Sequence, residues 1–98
     1  MDEKRYRESR LCRLLGNPIV YQLVALLDAG GPLTPSKLAK LIGRQVSTSI
    51  HLGKLRAADV VRYDTSGKET RYWLKHKSEM KGLLRMLEKV VDASAKLE

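Results

Sequence analysis

Short polar side chains crowd one segment of the chain, and a cation stands at each end of it. Serine and threonine are poor residues for a helix interior because their side chains compete with the backbone for hydrogen bonds. Contact with a nucleic acid would account for them, since such groups bind phosphates and base edges at close approach. The alternative is a solvated helix face with a capping serine. The residues expected to contact a duplex here are Arg44, Gln45, Ser47, Ser49, Ile50, His51 and Lys54.

The charge of the chain is strongly positive and unevenly placed. Its formal net charge is +8, from 19 Lys and Arg against 11 Asp and Glu. Most of the excess lies between residues 44 and 77, which suits a polyanionic partner better than a merely solubilising surface does. Lys68 and Arg71 belong to this stretch and are expected to meet the DNA backbone or minor groove. An ordinary solvated charge is the alternative for each of them.

Start and stop signals divide the first half of the chain into helices. A first helix is expected over residues 3–15, ended by Gly16. Asn17-Pro18 and Thr34-Pro35 are helix starts, because a capping side chain precedes a proline at the first helical position. The second helix is buried and ends at Gly30-Gly31-Pro32, and the third spans 35–42 and ends at Gly43. Within the third, the residues expected to face inward are Leu38, Leu41 and Ile42.

A fourth helix, over residues 45–58, can lie in either of two phases. One phase buries Thr48, Leu52 and Leu55, which are spaced four and three apart. The other buries Val46, Ile50 and Gly53 instead. The first phase is preferred because two leucines are better core anchors than a glycine.

The second half of the chain predicts a hairpin and a long helix. Apolar and polar residues alternate around Val61 and again around Tyr72, and residues 64–69 are expected to connect the two strands, with Gly67 at positive φ. Ser78 is expected to cap a last helix over 79–96. That helix carries two overlapping apolar stripes, 80-84-87-91 and 83-87-90, so it is expected to serve both its own core and a second chain. The residues expected at such an interface are Leu11, Leu14, Leu84, Leu87 and Val91.

Size and composition limit the classes of protein to consider. Residues 1–98 are expected to form one domain, mainly α with a small β-hairpin. No apolar run approaches the roughly 20 residues of a membrane span, so a cytoplasmic protein without a membrane partner is expected. The lone Cys12 excludes an intrachain disulfide. Neither paired carboxylates nor a phosphate-cradling loop is apparent, so an enzyme is not expected.

Residues 49–61 carry a family resemblance. They read Ser-Ile-His-Leu-Gly-Lys-Leu-Arg-Ala-Ala-Asp-Val-Val, which is similar to the Ser-x-His-Leu-x-x-Leu-x-x-Ala-Gly-Leu-Val stretch of the ArsR/SmtB-like winged helix-turn-helix regulators. Asp59 stands where that family has glycine, and Thr48 where it prefers an aliphatic residue. The resemblance implies a homodimeric transcriptional regulator, a repressor, that binds a pseudo-palindromic double-stranded DNA operator through two recognition helices. The alternative is a winged-helix module that pairs with another protein.

The metal sites of the resembled family are incomplete in this chain. One uses cysteines on the helix before the turn, and residues 35–42 contain none. The other uses Asp-x-His and His-x-x-His or Glu around the last helix, where this chain has His76-x-Ser78 and Lys89-x-x-Asp92. A protonated lysine cannot ligate a metal. No metal or other cofactor is therefore expected.

Overall fold

Five helices and one antiparallel hairpin make up the described part of the chain. The structure is a computed structural model that describes residues 2–43 and 45–96. The elements are α1 Glu3–Leu15, α2 Pro18–Gly30, α3 Pro35–Ile42, α4 Gln45–Ala57, β1 Val61–Ser66, β2 Glu69–Leu74 and α5 Lys77–Lys96. No single helix in the described ranges is both long and apolar enough to cross a bilayer, although α1 and α2 together, bent by 92°, reach that length and composition.

The starts of α2 and α3 predicted from capping residues are confirmed. Asn17 Oδ1 accepts hydrogen bonds from the backbone N–H of Ile19 (2.9 Å) and of Val20 (3.2 Å) at the start of α2. Thr34 Oγ1 accepts one from Lys37 N–H (3.1 Å) at the start of α3. Gly43 ends α3 in the left-handed conformation, at φ 83°, which glycine adopts without steric cost. Helix–turn–helix geometry between α3 and α4 thus follows from local sequence.

The core lies around α2, which is buried on most sides as predicted. Every other element adds leucine, valine or methionine to it, and α3 adds Ala39 besides Leu38. The prediction for Leu41 is wrong, because its side chain is 51 % exposed. On this short helix the buried face runs through positions 38, 39 and 42, so position 41 turns away from the core. The core residues are Leu15, Val20, Leu23, Val24, Leu27, Leu38, Leu52, Leu55, Val60, Val61, Leu74, Met80 and Leu84.

The hairpin strands are longer than the alternating pattern predicted. They pair from Val61 opposite Leu74 out to Ser66 opposite Glu69, so residues 64–66 and 69 belong to strands and the turn is short. Thr65 and Thr70 are directly opposed, with their Oγ1 atoms 3.0 Å apart. This cross-strand hydroxyl contact continues the pairing past the last apolar residue. Gly67 lies at φ 62°, as predicted for the turn.

The base of the hairpin is fixed to the helical core. Leu33 and Tyr72 exchange two backbone hydrogen bonds, of 3.0 and 2.8 Å, which add a third extended segment beside β2. Helix α5 begins at Lys77, so Ser78 lies inside the helix and the prediction that it caps α5 is wrong. The first turn closes instead through Met80 N–H, which donates to the His76 carbonyl at 2.9 Å.

Candidate nucleic-acid interface

Helix α4 presents two opposite faces of different chemistry. Thr48, Leu52 and Leu55 are at most 1 % exposed, so the preferred phase is confirmed. Ile50, the central residue of the competing phase, is 56 % exposed. The buried stripe packs against α2 and α3, which leaves the other side of α4 directed away from the core.

The outward side of α4 carries most of the predicted contact residues. Ser49, Ile50, Gly53 and Lys54 are exposed and Ser47 is half-buried. Gln45 begins the helix, and its side chain, like the whole of Arg44, lies outside the described residues. The helix therefore offers short polar groups around one aliphatic side chain, a surface that a duplex can approach closely.

His51 lies on the flank of α4 and is half-buried. Its Nδ1 atom is shielded from solvent and has no hydrogen-bond partner among the described residues. Any outward polar contact of this imidazole therefore falls to Nε2. The burial of Nδ1 fixes which edge of the ring faces outward. The sequence alone did not indicate this difference between the two ring nitrogens.

One aromatic contact lies within the hairpin and a second ties the hairpin to α4. The Tyr63 and Tyr72 rings stack across the strands, with centroids 5.4 Å apart and an interplanar angle of 27°. The Arg56 guanidinium of α4 lies over the Tyr63 ring, 4.7 Å from its centroid, a favourable cation–π distance. Arg56 was not among the predicted site residues. It has a positioning role, because it holds the hairpin against the end of the helix.

The two predicted hairpin cations differ in their surroundings. Lys68 is exposed at the turn and takes part in no ion pair with the described residues. Arg71 is exposed too, but its Nη2 atom lies 3.2 Å from Glu69 Oε2. Part of the Arg71 charge is thus compensated within the hairpin, which the sequence-based prediction did not include.

The residues predicted for a dimer interface divide into two groups. Leu84, with Met80, lies inside the protomer's own core, and Leu11 and Leu14 are half-buried against that core. Leu87 and Val91 are exposed on α5, and Val91 is 66 % exposed. Leu83, Met86 and Val90 extend the same exposed apolar surface. The last turns of α5 therefore have an apolar side that the described protomer does not bury.

Comparison with known proteins gives similarity in structure rather than in sequence. No protein-family model and no curated protein matches the chain. The homodimeric winged helix-turn-helix DNA-binding domain of Mb0332 from Mycobacterium bovis, described as a possible ArsR-family transcriptional regulator, has a TM-score of 0.81 at 17 % identity, covering 100 % of this chain and 94 % of its own. Rv0081 of M. tuberculosis has a TM-score of 0.86 at 20 % identity, over 98 % and 96 % of the two chains. The transcriptional repressor BigR from Xylella fastidiosa has a TM-score of 0.77 at 29 % identity, over 90 % of each.

The chain has a winged helix-turn-helix fold. The resemblance to ArsR/SmtB-like regulators is confirmed at the level of the fold, over nearly the whole length. In this fold α3, Gly43 and α4 form the helix-turn-helix, and the hairpin β1–β2 is the wing. The exposed side of α4 is accordingly the side of the second helix of this motif that faces away from the winged-helix core.

Proposed function

We propose that this winged-helix protein is a sequence-specific, double-stranded-DNA-binding transcriptional regulator. The observation that carries the proposal is the two-sided character of α4. One side is buried to 1 % exposure or less at three positions, and the other offers Ser49, Ile50 and Lys54 to solvent. A recognition helix needs this division, because its inner side fixes its orientation while its outer side enters the major groove.

Each part of the exposed surface has a distinct role in this proposal. Ser49 and His51 Nε2 hydrogen-bond base edges, and Ile50 contacts thymine methyl groups, since apolar side chains recognise that group in the major groove. Lys54 and the wing residues Lys68 and Arg71 neutralise phosphates, which sets affinity rather than sequence preference. Arg44, Gln45 and Ser47 complete the contact set at the start of the helix.

The proposed regulator acts as a homodimer. The exposed apolar side of α5, with Leu87 and Val91, supports this, because a monomer rarely leaves such a continuous apolar surface in water. Mb0332 is described as homodimeric. A two-fold dimer would bind a pseudo-palindromic operator with half-sites roughly 34–36 Å apart. BigR is described as a transcriptional repressor, which supports repression as the mode of action.

The proposed regulator does not use the metal sites of the resembled family. The positions that would hold them read His76-x-Ser78 and Lys89-x-x-Asp92, and α3 has no cysteine. Regulation by another signal would act through the spacing of the two recognition helices, because both half-sites must be contacted at once.

Selection of bound duplexes from a random pool, followed by titration across salt concentrations, tests the proposal. We expect a selected inverted repeat and an affinity that falls steeply with salt. Ser49→Ala with His51→Ala should weaken binding to the selected duplex more than to mixed-sequence duplex, whereas Ser94→Ala, at the far end of α5, should change neither. Absence of binding to any duplex at low salt would contradict the proposal.

A further inference from the structure

A series of cations on α1 lies beside the recognition helix. Lys4, Arg7, Arg10 and Arg13 follow one another at intervals of three along α1, so they wind gradually around it. All four line two adjoining clefts between α1 and the second half of α4. Lys54 of α4 lines both clefts from the opposite side. Five basic side chains from two helices thus surround one continuous groove, which is also lined by Leu11 and Leu14, both packed against the protomer's own core.

The groove cations have no ion-pair partners among the described residues. The two acids that line the groove are paired with cations elsewhere. Glu8 Oε1 lies 3.0 Å from Arg5 Nη1, and Asp59 Oδ2 lies 2.6 Å from Lys75 Nζ. Arg10 stands 5.9 Å from the Tyr6 ring centroid, which leaves its guanidinium hydrogen-bonding capacity unused. Uncompensated like charge at this density repels itself and is stabilised by an external anion.

The position of the groove relates it to the recognition surface. Lys54 follows directly on the exposed Gly53 of α4, and His51 lines the second cleft together with Arg10 and Arg13. His51 lies within one turn of Ser49 and Ile50 along the helix, and Lys54 lies four residues, just over one turn, beyond Ile50. The groove therefore begins at the flank of the exposed side of α4 and continues along α1.

We propose that the α1–α4 groove is a second DNA-contacting surface, which binds backbone phosphates flanking the half-site read by α4. This inference rests on the proposed function and extends its footprint. Arg10 and Arg13 are its principal residues, because a guanidinium can donate two parallel hydrogen bonds to one phosphate. Such contacts add affinity and salt dependence without adding sequence preference.

Neutralising these two arginines tests the inference. Arg10→Gln with Arg13→Gln should weaken binding to selected and to mixed-sequence duplex alike, by about tenfold or more near 0.1 M salt. The dependence of the logarithm of the binding constant on the logarithm of the salt concentration should become less steep, by the amount expected for about two lost phosphate contacts. The matched control is Arg85→Gln with Lys89→Gln, which removes the same charge from the polar side of α5. That control should leave the slope nearly unchanged. Equal losses in the two double variants would overturn the inference, because they would mean a general charge effect.

A second experiment replaces single DNA phosphates by uncharged groups, which locates the contact on the DNA without altering the protein. Methylphosphonate groups placed one at a time outside the selected half-site should weaken binding of the original chain at one or two positions. The same positions should have no effect on the Arg10→Gln/Arg13→Gln variant, and Arg10→Lys with Arg13→Lys should restore part of the sensitivity. If the original protein binds duplex but is insensitive at every flanking position, the groove inference fails while the proposed function stands. If it binds no duplex, both fail.

Discussion

Lys75 Nζ donates a 2.6 Å hydrogen bond to Asp59 Oδ2, which joins the second residue after α4 to the residue after β2. Asp59 lies at φ 64°, the one described non-glycine residue with positive φ. The ArsR/SmtB-like pattern has glycine at this place, and aspartate is among the few other residues that tolerate the left-handed conformation. Aspartate in place of glycine therefore preserves the backbone shape and adds a link between the segment after α4 and the end of the wing.

Replacing Asp59 separates the contribution of its backbone conformation to stability from that of its ion pair with Lys75. Asp59→Ala should lower the melting temperature more than Asp59→Gly, because both lose the ion pair but only alanine is strained at this φ. Asparagine also tolerates the left-handed conformation but carries no charge. The melting temperature of Asp59→Asn should therefore lie between those of Asp59→Ala and the original chain. Thermal unfolding followed by circular dichroism measures the order. Alanine and glycine variants of equal stability would contradict the backbone explanation.

The same carboxylate makes a small pH-dependent contribution to stability. The hydrogen bond from Lys75 holds the pKa of Asp59 below its ordinary value of 3.8, and the Lys75, Arg62 and His76 charges act in the same direction. The contribution is complete above the pKa of the unfolded chain and is lost as the pH falls through the lower pKa of the folded chain. Urea unfolding between pH 6 and pH 2 should show Asp59→Asn to be the less stable protein at the upper end only. A difference that persists at the lowest pH would contradict this assignment.

Truncation to alanine should reduce stability on the buried face of α4 and DNA binding on the exposed face. Leu55→Ala, at a fully buried position, should cost about 2–5 kcal/mol of unfolding free energy, because it leaves a cavity in the core. Ile50→Ala, on the exposed face, should change stability by no more than about 0.5 kcal/mol. It should nevertheless weaken binding to a selected duplex that contains thymine at the contacted step. Replacing that thymine with deoxyuridine should remove the difference between the Ile50→Ala protein and the original.

The wing cations should contribute unequally to binding. Lys68→Gln should reduce the salt slope by about one phosphate contact. Arg71→Gln should reduce it less, because Glu69 already compensates part of that charge at 3.2 Å. Glu69→Gln should therefore tighten binding. Equal slopes for the three variants, measured by fluorescence anisotropy with a mixed-sequence duplex, would exclude the wing from the phosphate contact.

Acidic residues on the exposed side of α5 should dissociate the proposed dimer. Leu87→Glu with Val91→Glu removes two aliphatic side chains worth about 1.5–3 kcal/mol each when buried, so the dimer dissociation constant should rise at least about 100-fold. Analytical ultracentrifugation measures it. Lys89→Glu adds negative charge to the polar side of the same helix and serves as the control. Unchanged sedimentation of the double variant would place the interface elsewhere.

The sequence predicted those features that depend on local chemistry. Helix α3 and the starts of α2 and α4 follow from capping side chains, proline and Gly43, and the phase of α4 follows from Leu52 and Leu55. Features that depend on distant residues were missed. Leu41 is exposed because only one side of a two-turn helix can reach the core, and the pairing of Thr65 with Thr70 lengthens the wing beyond its apolar residues.

In the candidate site, too, the features set by local sequence were predicted and most of those set by the fold were not. Its α4 residues could be found from an unusual run of hydroxyl, amide and imidazole groups. The contact of Arg56 with Tyr63 and the shielding of His51 Nδ1 could not be found, since each depends on packing that only the fold determines. The pairing of Arg71 with Glu69 did have a local signal, because residues two apart on a strand lie on the same face. The α1 cations had a detectable signal, their regular spacing of three, but nothing in the sequence placed them beside Lys54.

The division of α5 has a consequence for how much protein a cell must hold. Its first turns are anchored by Met80 and Leu84, whereas Leu87, Val90 and Val91 in the later turns are exposed. A few helical turns without apolar packing are only marginally stable. If pairing supplies that packing, the fraction of chains able to span two half-sites depends on the concentration of the chain itself. Copy number would then act as an input alongside any small-molecule signal, and occupancy of an operator would rise more steeply than the supply of protein.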